Sequence, residues 1–167
     1  MQKTRKYAII ENMTKDNLKI YDLLDEMHHD ADCELNFNSP FELLVAVVLS
    51  AQCTDKRVNQ VTSELFKIAN TPEAFVKMPV EELERHIFSC GFYHNKAKAI
   101  KSLSQSVLDM GGMPKSRDEL MKLQGVGRKT ANVVAAVAYG ENAIAVDTHV
   151  FRVANRIGLA HAKTPEQ

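Results

Sequence analysis

The stretch Leu123-Gln-Gly-Val-Gly-Arg-Lys-Thr-Ala-Asn132 decides the fold, because it joins a glycine-rich turn to the start of a helix. Gly125 and Gly127 allow a sharp turn and carry no side chain over it. The backbone N–H groups around Gly125, Val126 and Gly127, with those of the first helical turn, can then point at one anion. We therefore predict a hairpin between two helices that binds a phosphate, with a basic pair directly after it.

The charge around this hairpin is consistent with a phosphate partner. Residues 94–129 hold eight Lys or Arg residues against three acidic residues, although the whole chain of 167 residues has a formal net charge of zero. A basic segment that carries the hairpin suits the backbone of a nucleic acid. The alternative is a solvated helix face with ordinary lysines, and the net charge of zero is a weak argument for it.

The composition is that of a globular protein, with 45% hydrophobic and 25% charged residues. The longest apolar run, residues 43–49, is too short to cross a bilayer, and we expect no signal peptide because the basic N-terminal stretch has no apolar core. We predict a cytoplasmic monomer with no membrane contact. Cys33, Cys53 and Cys90 are far apart and form no C-x-x-C pair, so the sequence predicts neither a metal site nor a disulfide framework.

Almost every segment has the pattern of a helix, so we predict an all-α fold. Ser39-Pro40-Phe41-Glu42 places a cap, a first-turn proline and a capping-box glutamate in order, and Ser116 with Glu119 forms a second capping box. The helix after Ser39 is apolar on nearly every side, which predicts a central buried helix. The predicted helices cover 15–28, 40–51, 54–69, 80–88, 95–109, 128–139 and 147–157, with short helices starting at 71 and 116 and an extended connector at 142–146.

These elements predict a helical, barrel-like domain over 39–139 that contains a helix-hairpin-helix at about 117–139. Residues 1–38 and 140–167 then form part of a second helical domain. The final residues, Thr164-Pro165-Glu166-Gln167, have the form of a helix start. We therefore expect the sequence to be a fragment of a longer protein.

Lys129 is the first candidate for chemistry. A free lysine has a pKa of about 10.4, so a nucleophilic lysine must be desolvated or lie near positive charge. The helix N-terminus and Arg128 would supply that charge. The sequence leaves two interpretations equally open: Lys129 attacks the C1′ atom of a deoxyribose, or it binds a phosphate as a point charge.

Asp147 is the second candidate, in Val146-Asp-Thr-His149. An aspartate directly before a helix is commonly only its N-cap. A carboxylate near Lys129 could instead stabilise positive charge on a sugar or accept a proton from the attacking amine. His149 either lines a substrate pocket or occupies an ordinary helix position, and we favour the ordinary position.

Two motifs together resemble the bacterial endonuclease III family of DNA glycosylases. They are Leu123-Gln-Gly-Val-Gly-Arg-Lys-Thr-Ala-Asn-Val-Val134 and Ala145-Val-Asp-Thr-His-Val-Phe-Arg152. Glu34-Leu-Asn-Phe-Asn-Ser-Pro-Phe-Glu-Leu-Leu44 and Leu49-Ser-Ala-Gln-Cys-Thr-Asp55 are similar to the early helices of the same family. The resemblance runs from about Glu34 to Ile157 and places the chain in the helix-hairpin-helix Gly/Pro-Asp superfamily.

The resemblance implies a role for each candidate residue. Lys129 would be the Schiff-base nucleophile, a residue that adenine-mismatch glycosylases lack, and Asp147 the catalytic carboxylate. Gln52 would fill the gap left by a flipped nucleotide, and Phe92 would be the apolar wedge that is commonly leucine. The implied DNA contacts are Gln52, Phe92, Gly125, Val126, Gly127, Arg128 and His149.

The implied substrate is double-stranded DNA with damaged pyrimidines or abasic sites. The family continues with four cysteines, spaced C-x6-C-x2-C-x5-C, that bind a [4Fe-4S] cluster, whereas this sequence stops before them. We therefore expect no cofactor in this chain and a [4Fe-4S] cluster in a full-length member. Three alternatives stay open: a non-catalytic helix-hairpin-helix DNA-binding module, an inactive fragment of the enzyme, and a monofunctional glycosylase.

Overall fold

Every regular element in residues 14–166, the part that this computed structural model describes, is helical. The predicted all-α class is therefore confirmed. The helices are α1 (Lys15–Met27), α2 (Pro40–Ser50), α3 (Asp55–Ile68), α4 (Pro72–Lys77), α5 (Val80–Ile87), α6 (Tyr93–Asp109), α7 (Arg117–Leu120), α8 (Arg128–Tyr139) and α9 (Thr148–Arg156), with a 3-10 turn at Phe88–Cys90. The starts agree with the sequence pattern to within one residue, the N-cap, except that α6 begins at Tyr93 rather than at residue 95.

The chain divides into two units, and each is described by itself. The larger unit, Cys33–Ala145, contains α2 to α8. The smaller unit contains α1 and α9, from residues 14–32 and 146–166 of the described chain. The domain limits at 39 and 139 that the sequence indicates stay a prediction.

Helix α2 is the central buried helix of the larger unit, as its apolar sequence predicts. Seven of its residues are buried: Phe41, Glu42, Leu43, Leu44, Val45, Ala46 and Leu49. It packs against α3, α6 and α8. Fully burying one leucine side chain stabilises a fold by about 1.5–3 kcal/mol. The side chains of α2 therefore form the centre on which the other helices of this unit pack.

The start of α2 contains a carboxylate that is almost fully buried. Ser39 caps the helix, because its Oγ accepts a hydrogen bond from Glu42 N at 3.1 Å. Glu42 is 2% exposed, and its Oε2 accepts from Asn38 N at 2.6 Å and from Asn38 Nδ2 at 3.2 Å. The Ser39 half of the predicted capping box is thus present, whereas the Glu42 carboxylate binds Asn38 rather than Ser39 N. These bonds replace the water that a buried carboxylate loses.

Two lysines of α6 bind backbone carbonyls inside the larger unit. Lys101 Nζ donates to three carbonyl oxygens at the end of α4, at 3.0, 2.6 and 2.6 Å. Lys96 is 5% exposed and also donates to carbonyls. A lysine at a helix C-terminus satisfies acceptors that have no partner within the helix. The basic surface of residues 94–129 is therefore smaller than the residue count indicates.

The smaller unit has two helices with apolar residues at the surface. Helix α1 has no buried residue, and Met27 is 69% exposed. Helix α9 begins after its cap Asp147 and leaves Val153 48% exposed. Within the described residues, no helix combines the length and apolar character that a membrane span requires.

We expect Ser39→Ala to lower the free energy of unfolding by about 1 kcal/mol, because the Glu42 amide loses its cap. Urea denaturation followed by circular dichroism measures this change. Ser63→Ala is the control, since Ser63 is an exposed serine in α3 whose Oγ donates to Gln60 O. The control should change stability by less than about 0.5 kcal/mol. Equal losses in both variants would contradict the importance of this cap.

Candidate functional site

The predicted hairpin consists of α7, a turn, and α8. Ser116 and Glu119 form the predicted capping box at the start of α7. Leu120, Leu123 and Val126 are 0%, 2% and 7% exposed, respectively. The turn continues with hydrogen bonds from Leu123 N to Leu120 O and from Val126 N to Leu123 O, both 3.1 Å. Apolar packing therefore holds the turn from inside, independently of any ligand.

The two glycines of the turn meet different requirements. Gly125 has a φ of +82°, a backbone conformation that residues with a Cβ rarely adopt. Gly127 has an ordinary φ of −85° and is the N-cap of α8. It has no side chain to cap the helix, and no atom lies within 4 Å of the place where a Cβ would stand. Gly125 thus permits the turn, while Gly127 leaves space in front of α8.

The start of α8 has the geometry of an anion site. Its first backbone bond runs from Ala131 N to Gly127 O at 2.9 Å, so the N–H groups of the preceding turn make no bond within the helix. The helix dipole adds partial positive charge at this end. Arg128 and Lys129, its first two residues, are both exposed. A phosphate in front of the helix would accept backbone bonds and lie beside two cations.

The two predicted catalytic residues belong to different units. Lys129 is in the first turn of α8, in the larger unit, whereas Asp147 caps α9 in the smaller unit. Asp147 Oδ1 accepts from His149 N at 2.9 Å and from Val150 N at 2.8 Å. The capping interpretation of Asp147 is thus correct, and its catalytic role stays a prediction. His149 is exposed, with Nδ1 3.4 Å from Arg152 Nη2.

Asn132 is a hairpin residue to which the sequence analysis assigned no role. Its Nδ2 donates to Ile144 O at 2.8 Å, which ties the predicted connector at 142–146 to α8. Its Oδ1 is buried and has no protein partner. The sequence could have indicated this role, because Asn132 is a polar residue within an Ala/Val-rich helix. A polar side chain that is buried among apolar ones usually makes a specific hydrogen bond.

Gln52 and Phe92, the two residues predicted to enter DNA, share an unusual backbone. Among the described residues they are the only non-glycine residues with positive φ, at 54° and 48°. Both side chains are exposed, and Phe92 is 64% exposed. A residue with a side chain in this region costs about 1–2 kcal/mol relative to an ordinary backbone. Strain of this kind at an exposed residue is typical of functional sites.

The described residues do not fit a metal cluster. No group of three or more His, Cys, Asp or Glu side chains in residues 14–166 could hold a metal ion. Cys90 is buried, which raises the pKa of its thiol to about 11, with a further contribution from neighbouring Cys53. These cysteines therefore do not supply the thiolate set of a four-cysteine cluster.

Comparison with known proteins gives one consistent result. A family model described as the HhH-GPD superfamily base excision DNA repair protein matches residues 45–167. Endonuclease III of Bacillus subtilis (strain 168) is 55% identical over 144 residues, which cover 85% of this chain and 66% of that relative. Endonuclease III of Escherichia coli (strain K12) is 47% identical over 152 residues, which cover 90% of this chain and 72% of that protein.

Solved structures agree with these relatives. A non-covalent endonuclease III–DNA complex has a TM-score of 0.82 and 51% identity, over 91% of this chain and 73% of that one. A trapped endonuclease III–DNA covalent intermediate with an estranged adenine has a TM-score of 0.83 and 52% identity, over the same shares. This chain thus spans about two thirds to three quarters of the length of the proteins that it matches.

We expect Phe92→Gly to be at least as stable as the wild type, with a gain of up to about 1 kcal/mol, because glycine adopts positive φ without strain. Phe92→Ala is the matched control, since alanine removes the ring but keeps the strain. Urea denaturation compares the two variants. A glycine variant less stable than the alanine variant would show that the backbone at this position is not strained.

Proposed function

We propose that this chain, which belongs to the endonuclease III family of the HhH-GPD superfamily of base excision DNA repair proteins, removes oxidised pyrimidines from double-stranded DNA and cleaves the strand at abasic sites. The observation that carries the proposal is the open helix start after Gly127, with Lys129 in its first turn. Relatives whose structures contain DNA are about half identical to this chain, which supports DNA as the substrate.

Binding begins at the hairpin. The backbone N–H groups near Gly125 and Gly127 and at the start of α8 bind one phosphate, and Arg128 adds charge. The Val126 amide is not one of these donors, contrary to the sequence prediction, because it donates to Leu123 O within the turn. The exposed cations of the same basic segment, Lys98, Lys115 and Lys122, are available for neighbouring phosphates. These contacts carry no base sequence information, which suits an enzyme that must inspect any sequence for damage.

The damaged nucleotide must leave the base stack before chemistry can occur. Extrusion costs a few kcal/mol and costs least for a weakened pair. Phe92, an exposed ring on a strained backbone, would separate the base step, and Gln52 would occupy the space of the extruded nucleotide. His149 keeps the ordinary helix position that the sequence favours, as the surface partner of Arg152.

The chemical step is a displacement at C1′. The deprotonated Lys129 Nζ attacks C1′, the bond from C1′ to the base breaks, and the base leaves with its electron pair and takes up a proton. The sugar ring then opens as O4′ takes a proton, leaving a protonated imine between C1′ and Nζ. Loss of a C2′ proton breaks the C3′–O bond, which is β-elimination, and water releases Lys129 from the imine.

Asp147 acts on this step through its charge. As the N-cap of α9 its carboxylate is held by two backbone amides, so its orientation is set before substrate binds. It would stabilise the positive charge that develops on the sugar as the base leaves. The competing candidate is a non-catalytic DNA-binding module, which the N-cap bonds favour because they explain Asp147 without chemistry.

Borohydride reduction traps an imine as a stable covalent adduct, so it tests the lysine directly. We expect the wild type to form an adduct with an abasic duplex and Lys129→Ala to form none. Lys67→Ala is the control and should still form the adduct, since it removes an exposed cation of α3 that is paired with Glu64 and has no role in the proposed site. An adduct that survives Lys129→Ala, or no adduct with the wild type, would contradict the proposal.

Asp147→Asn separates charge from capping, because asparagine caps a helix about as well as aspartate. We expect its excision of an oxidised pyrimidine to fall by about a hundredfold or more, as for the loss of one preorganised electrostatic group. Thermal unfolding should change little. Single-turnover excision gives the rate, and an unchanged rate would favour the non-catalytic role.

A further inference from the structure

The loops that carry Gln52 and Phe92 are bridged by one buried side chain. Lys96 Nζ donates to Leu49 O at 2.9 Å and to Cys90 O at 2.7 Å. Leu49 lies at the end of α2, just before the loop of Gln52, and Cys90 ends the 3-10 turn just before Phe92. Two segments about forty residues apart in the chain are therefore bound by the same ammonium group.

The backbone of Lys96 binds the second loop as well. Its amide N donates to Phe92 O at 3.1 Å, which is the first backbone bond of α6. Lys96 therefore holds the backbone on both sides of the strained Phe92. Its side chain binds the carbonyl of Cys90, two residues earlier, and its backbone amide binds the carbonyl of Phe92 itself. A backbone conformation with positive φ costs about 1–2 kcal/mol for a residue with a side chain, and it persists only where surrounding interactions hold it in place.

The surroundings of Lys96 Nζ suit a charged ammonium group that binds backbone carbonyls. Leu49 O is among the last carbonyls of α2, which have no partner within the helix and carry partial negative charge. The thiol of Cys90 is neutral at physiological pH, because burial raises its pKa to about 11. Removing the ammonium group would leave Leu49 O and Cys90 O buried without these charge-assisted bonds, which is costly.

We propose that Lys96 is a positioning residue that couples the two strained loops, so that Gln52 and Phe92 enter duplex DNA as one pre-set pair. The inference rests on the proposed function, because it needs both side chains to enter DNA. Loops fixed before binding avoid the entropy of ordering two loops during insertion. Duplex substrates need this insertion, whereas an abasic site in a single strand has no base stack to open.

Lys96→Met tests the inference, because methionine keeps a long side chain and donates no hydrogen bond. We expect its excision rate on a damaged duplex to fall about tenfold, the size expected for losing a charge-assisted bond. Its lyase rate on a single-stranded abasic substrate should stay within about threefold of the wild type, since Lys129 is unchanged. The ratio of duplex to single-strand rates is the quantity to compare.

Lys101→Met is the matched control on the same helix. Lys101 also donates to backbone carbonyls, but these belong to the end of α4 and not to either of the two loops. Its loss should reduce stability and lower both rates together, leaving the ratio unchanged. Equal ratios in the Lys96 and Lys101 variants would overturn the inference, because Lys96 would then be only structural.

Two further variants keep the test decisive if Lys96→Met folds poorly. Lys96→Arg keeps charge and donors, so it should retain most of the duplex activity. In a Gln52→Ala/Phe92→Ala background, Lys96→Met should add little further loss on duplex DNA, because both side chains that it positions are already absent. Additive losses would overturn the inference.

The fluorescence of 2-aminopurine beside an uncleavable abasic analogue separates this inference from the proposed function. It reports unstacking on binding without catalysis. A wild type that unstacks the probe, with a Lys96→Met variant that binds but does not, supports the inference even if excision is absent. A wild type that neither binds nor cleaves overturns both proposals.

Discussion

The backbone groups at helix ends are the constraint on which this structure depends. A helix leaves donors at its start and acceptors at its end without partners in the helix itself, and burying them unsatisfied is costly. In the larger unit Ser39 caps α2, Lys96 binds Leu49 O near the end of α2, and Lys101 binds carbonyls at the end of α4. At α8, by contrast, Gly127 offers no side chain, and the helix start is open to an anion.

This difference connects packing to function. A helix end sealed by a side chain stabilises the unit by itself, whereas an end left to glycine becomes a binding site. The buried residues Leu123 and Val126 hold the open turn in shape, so the anion site does not need DNA to form. The same principle applies in the smaller unit, where Asp147 seals the start of α9 and retains a negative charge for the proposed chemistry.

Strain is placed where the proposed DNA contacts lie. Gln52 and Phe92 follow and precede well-packed helices, and both adopt a backbone that glycine would adopt more easily. A side chain at such a position reduces the stability of the fold. This loss is expected where the side chain is needed to contact a ligand. Within the described residues the basic character of α6 is divided in the same way, because Lys96 and Lys101 support the fold and Lys98 is exposed.

The sequence by itself determined the helical class, the helix starts at Ser39, Ser116 and Asp147, the glycine hairpin and the family, because capping and hydrophobic periodicity involve residues within a few positions of one another. Only the tertiary structure decided that Lys96 binds Leu49 O, 47 residues away, that Asn132 binds the connector, and that Gln52 and Phe92 adopt positive φ. A lysine has the same local pattern at the surface as beside a buried carbonyl. Which of the two it occupies depends on how distant helices pack, and no short segment encodes that.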